Sequence, residues 1–99
     1  MEDRETKQLI TNHYGTQHQL IKAIEEMAEL NHVVARRLIE DEWNKVNFFE
    51  EMADVHIMLD QLKLIFCAEH GVDLDMFDNM LRDEIAVKLN RTLTRIGEK

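Results

Sequence analysis

Two short segments carry the side chains best suited to chemistry, EEMAEL at 25–30 and EEMADV at 50–55. Each contains two acids three residues apart, Glu26/Glu29 and Glu51/Asp54. On a helix that spacing puts two carboxylates on adjacent turns of one face. Spacing alone is not selective: Glu2/Glu5 and Asp75/Asp78 share it, as expected where acids are this frequent. Direction is what separates the pairs. Glu51 and Asp54 bracket the stripe of Met58, Leu62 and Ile65, opposite His56 and Lys63, and Glu26 borders the apolar face near Leu30 and Val33. A carboxylate turned toward a core is costly unless it is paired or holds a metal. Four acids meeting at one spot would repel strongly, and a hard divalent cation relieves the repulsion. All-oxygen ligation favours Mg²⁺, with Mn²⁺ as a substitute. Glu25 and Glu50 double the motifs, as extra ligands or as the base that accepts a proton from water. For Glu50 an ordinary surface position is the better reading.

The elements that must position these acids are helices. The chain has no proline and only three glycines, Gly15, Gly71 and Gly97. With so few breakers, four helical stretches are predicted. The first runs from Asp3 to His13 and stops at Gly15. The second is capped by Thr16 and carries apolar positions from Leu20 to Ile39. A polar connection spans Glu40 to Asn47, with Asp41, Asn44 and Asn47 as candidate caps. The third helix runs from Phe48 to His70, and the fourth, capped by Asp73 or Asp75, reaches Ile96. In an antiparallel hairpin of the second and third helices, the acid pairs lie symmetrically about residue 40, close to that connection. The four carboxylates can therefore meet.

Ninety-nine residues suit a single domain, 1–99, and the mixture of 44% hydrophobic and 32% charged residues is that of a globular chain rather than a disordered one. The net charge of -8 argues against a nucleic-acid polymer or an anionic membrane as partner. One cysteine, Cys67, excludes an intrachain disulfide and a cysteine-based zinc site. The charged N-terminal segment is not a signal peptide, and no apolar run reaches membrane-spanning length, so the cytoplasm is the expected location. The second helix is expected to present a wide apolar arc including Leu20, Ile24, Met27, Val34 and Leu38, and the third is apolar almost all round. One chain of this size cannot cover both, so a homodimer or a dimer-of-dimers tetramer is expected.

A helix with ExxE followed by a helix with ExxD resembles the MazG-like all-α nucleoside triphosphate pyrophosphohydrolases. The likeness covers the second and third helices and extends more weakly to HYGTQHQL and KLNRTLTRI. Relatives of that family include dimeric dUTPases and phosphoribosyl-ATP pyrophosphatases. The resemblance implies an all-α, four-helix MazG-like bundle completed by oligomerisation. It also implies cleavage of a nucleoside triphosphate between the α- and β-phosphates, giving a monophosphate and pyrophosphate. By the same resemblance Glu26, Glu29, Glu51 and Asp54 are the magnesium ligands.

Lys88, Arg91 and Arg95 share one stripe of the fourth helix and suit a triphosphate tail, although an exposed face with Glu84 as local partner explains them equally well. For the nucleobase, His13, Tyr14, Gln17, Gln19 and Trp43 are candidates, with simple packing or exposure the better reading for each one taken alone. Two alternatives stand beside the hydrolase: a non-catalytic helical adaptor whose acid motifs are accidental, and the same fold acting on phosphoribosyl-ATP.

Overall fold

A computed structural model describes residues 2–98. Among them are four α-helices and no strand: α1 (Asp3–Tyr14), α2 (Thr16–Glu40), α3 (Lys45–His70) and α4 (Leu74–Gly97). None is long and apolar enough to cross a membrane.

The helix ends follow from local chemistry. Between α1 and α2 a single residue turns the chain: Gly15 sits at φ 90, ψ 159, a region that only glycine enters without strain. Gly15, rather than Thr16, is the N-cap of α2. Asp41 closes α2 in the left-handed conformation, and its N–H donates to the Arg37 carbonyl. The connection is shorter than the polar composition suggests, because α3 begins at Lys45. Of the three candidate caps, Asn44 does the work, its side chain accepting from the Asn47 N–H at 3.1 Å. At the other end of α3, Gly71 at φ 64 and the Val72 N–H to Cys67 carbonyl bond (3.0 Å) form a Schellman close. Asp73 then caps α4 by accepting from the Asp75 N–H at 2.7 Å.

The chain divides into two compact units, one up to Ile65 and one from Phe66. In the first, the most buried positions of α2 are Gln19, Ala23, Glu26 and Val33, and those of α3 are Val55, Met58, Gln61, Leu64 and Ile65. Spacings of three and four along both helices are those of a coiled-coil-like seam. This seam is offset from the apolar arc expected of α2. Leu20, Ile24, Met27, Val34 and Leu38 all remain exposed, Leu38 by 78%. Helix α1 is tied to α3 by the Lys7–Asp60 ion pair. In the second unit, Phe66 stacks on His70 and tilts against Phe77, with centroids 4.2 and 5.8 Å apart. No residue of α4 is buried.

Candidate metal centre

The antiparallel α2–α3 register that pairs Gln19 with Gln61 brings Glu26 level with Asp54, with Glu51 one turn back along α3 toward Glu29. Carboxylate oxygens of Glu26, Glu51 and Asp54 all lie within 4.8 Å of one another. Such a triad can hold a metal ion. Glu26 is buried, with only 5% of its surface accessible, because Ala23 and Val33 above and below it draw that face against α3. Its Oε1 accepts from Lys22 Nζ at 3.0 Å, one helical turn away. Its Oε2 has no hydrogen-bond partner, and neither does Glu51 Oε2; both atoms are inaccessible to solvent. Buried acceptors are nearly always paired, so two orphans at one spot call for a partner, and a cation would be one.

The electrostatics agree with the geometry. Glu51 is pushed above the ordinary carboxylate range, first by burial and then by Glu29, Asp54 and Glu26. Asp54 is also raised, first by burial and then by Glu26 and Glu29, with Lys22 opposing. Lys22 is itself raised, chiefly by its hydrogen bond to Glu26. Glu29 thus acts on both α3 acids although its own side chain is exposed. One lysine cannot neutralise this cluster. A divalent cation held here would supply the missing charge.

Beside the triad runs a groove of about 460 Å³ lined by Ile10, Tyr14, His18, Gln19, Lys22, Glu25, Glu26, Asp54, Ile57, Met58 and Gln61. Its volume is that of a small-molecule site. Glu25 is on its wall, whereas Glu50 is exposed and is not among the lining residues. Gln19 also belongs to the groove, but its amide is engaged: Nε2 donates to Gln61 Oε1 at 2.7 Å, and Oε1 lies 2.7 Å from His18 Nδ1. Trp43 is elsewhere, edge-on to Phe48 at 4.8 Å in a separate cavity at the hairpin turn with Arg36, Glu40 and Lys45. Lys88, Arg91 and Arg95 are exposed on α4, in the second unit.

Three groove residues escaped sequence reasoning. Lys22 could have been found from its i, i+4 spacing to Glu26. Gln61 had a fainter signal, a lone amide three residues beyond Met58 on an otherwise apolar face. His18 had none, since its place depends on how α1 packs against α2. Compared with family models, curated proteins and solved structures, the chain matches none of them.

Proposed function

We propose that this protein is a Mg²⁺-dependent nucleoside triphosphate pyrophosphohydrolase acting on (d)NTPs. The observation that carries the reading is the meeting of buried Glu26, half-buried Glu51 and exposed Asp54, with one buried oxygen each of Glu26 and Glu51 lacking any partner. The donor set is all oxygen and anionic, which suits a hard divalent cation. Glu26, Glu51 and Asp54 would hold the ion, and Glu29 would join them by a side-chain rotation. A bound Mg²⁺ supplies charge to oppose that of the phosphates and acidifies a coordinated water.

The chain's own residues account for the rest. Lys22 bonds Glu26 and lines the groove, where its ammonium would serve a phosphate oxygen. Glu25, on the same wall, is a better proton acceptor than Glu50. In the reaction, water oxygen bonds to the α-phosphorus and the bond from that phosphorus to the α–β bridging oxygen breaks. Pyrophosphate departs, and the proton from water goes to the carboxylate. Lys88, Arg91 and Arg95 remain candidates for the phosphate tail.

Exposed apolar residues on α2 and α4, among them Ile24, Leu38, Met80 and Leu93, support assembly as a homodimer or a dimer of dimers. Sedimentation that finds a monomer at every concentration would remove that part of the reading.

Incubation with Mg²⁺ and a panel of dNTPs and NTPs should release pyrophosphate and a monophosphate. Release of orthophosphate alone, or no turnover of any nucleotide, would show the assignment to be wrong.

A further inference from the structure

Gln61 is the most buried polar residue of the α1–α2–α3 unit, with 1% of its surface accessible, yet it lies off the metal cluster. Its Nε2 donates to the backbone carbonyl of Lys7 at 3.3 Å. A backbone carbonyl can only accept, so the amide of Gln61 has one permitted orientation, with Oε1 toward Gln19. Gln19 must then present Nε2 to Gln61, at 2.7 Å, and Oε1 to His18. Gln19 Oε1 is also only an acceptor. The 2.7 Å contact between it and His18 Nδ1 therefore requires the proton on Nδ1. The direction of every bond in the chain follows from a single carbonyl on α1.

We propose that Gln61 is a positioning residue that acts through Gln19 to hold neutral His18 as the Nδ1–H tautomer. The ring's Nε2 thereby becomes a fixed hydrogen-bond acceptor on the groove wall for a donor on the edge of a nucleobase. The occupant named here rests on the nucleotide reading above; the tautomer does not. Tyr14 stacks on the His18 ring, with centroids 4.8 Å apart and planes 17° from parallel, which fixes the ring plane. His18 and Tyr14 share the groove with Glu26 and Asp54, so a base held there is connected to phosphates at the acid cluster. A solvated imidazole has no such preference imposed on it. Its neutral form in water is dominated by Nε2–H, which would offer a donor instead.

The test begins with the ligand-free protein, by ¹⁵N NMR of its histidine rings at about pH 8, where an imidazole is neutral. The wild type should show His18 protonated at Nδ1 and bare at Nε2. Gln61→Met keeps an unbranched side chain of similar size in the core, and in it His18 should revert toward Nε2–H while circular dichroism stays helical. Wild-type His18 found as Nε2–H would overturn the relay without any variant, and so would a folded Gln61→Met with His18 unchanged. Binding of each of the four dNTPs, with Ca²⁺ in place of Mg²⁺, then tests the acceptor. His18→Phe keeps a ring against Tyr14 but has no acceptor, and should weaken the tightest dNTP about tenfold, the worth of one hydrogen bond. His18→Gln places an oxygen where Nε2 stood and should restore most of the affinity. Equal affinity in wild type and His18→Phe would refute the acceptor role. Failure of every dNTP to bind the wild type would refute the occupant and the hydrolase reading together, and the tautomer measured beforehand would still decide the relay.

Discussion

Seven residues separate Gln19 from Glu26 on α2, and seven separate Asp54 from Gln61 on α3. An amide layer and a carboxylate layer therefore occupy successive levels of one helix seam, between the same two backbones, the amides both buried and the acids grading from buried Glu26 to exposed Asp54. In the amide layer, Gln19 bonds to Gln61 and Gln61 to the Lys7 carbonyl, and neither side chain has an orphaned buried atom. In the carboxylate layer Glu26 Oε2 and Glu51 Oε2 are unpaired, and loss of solvent, then neighbouring acids, push Glu51 and Asp54 upward. An amide carries both donor and acceptor and can satisfy another amide. Ionised carboxylates only accept, so they cannot satisfy each other. Polarity in a core is thus not one phenomenon. One layer is complete within the chain, and the other has unpaired oxygens that a cation would complete.

The contrast can be broken by substitution. Replacing Glu51 or Asp54 by Ala should reduce pyrophosphate release by about 100-fold or more, given that even residues behind metal ligands are typically worth 10–100-fold. Circular dichroism should show the helices intact, because neither residue supports the fold in the absence of metal. Turnover within a few-fold of wild type would remove both from the ligand set. Next in size is the response to metal itself. Mg²⁺ at 100 times its Kd should stabilise the wild type by about 2.7 kcal/mol, seen as a rise in Tm, and should leave Asp54→Ala unmoved. An equal rise in both would place the ion elsewhere.

The amide layer should respond in the opposite pattern. Gln61→Met strands the Gln19 amide and the Lys7 carbonyl, and should cost about 1–3 kcal/mol of stability whether or not Mg²⁺ is present. Loss of stability only when metal is present would mean that the two layers are one functional unit.

The smallest expected effect concerns pH. Because folding raises Glu51 and Asp54 above their unfolded values, the folded state binds more protons in the window between the ordinary and the raised values. The cluster's contribution to stability therefore falls as pH rises through the raised values and recovers as pH is lowered. In EDTA, thermal melts should show less of this pH dependence for Glu51→Gln than for wild type, with a higher Tm for the variant at neutral pH. A steeper dependence in Glu51→Gln, or a lower Tm, would contradict the repulsion inferred here.

Much of the helical frame was legible in the residues. Gly15, Gly71 and Asp73 mark ends that the chain does adopt, because each offers local chemistry that a turn or cap needs. The connection between α2 and α3 was harder, since Asp41, Asn44 and Asn47 are equally good caps as isolated residues. Packing extended α3 back to Lys45 and gave the role to Asn44. Of the acids, the burial of Glu26 was readable from its position beside an apolar stripe, whereas Glu51 is only half-buried and Asp54, expected to face the core, is exposed. The packed face of α2 was not readable, because hydropathy alone favoured the arc of Leu20, Ile24 and Leu38. The actual seam runs through small Ala23 and the paired amides, which let the backbones approach and satisfy one another. Gln19 lines the groove, and its amide also links to Gln61, a bond visible only once α3 is set beside α2.

Calorimetric titration of Mn²⁺ and Mg²⁺ into the metal-free protein, alongside Asp54→Asn, tests the central claim most directly. A saturable site in the wild type for both ions, lost or greatly weakened in the variant, is the outcome predicted by an acid triad with two unsatisfied oxygens. Indistinguishable, non-saturating heats for the two proteins would mean that these carboxylates do not hold a cation.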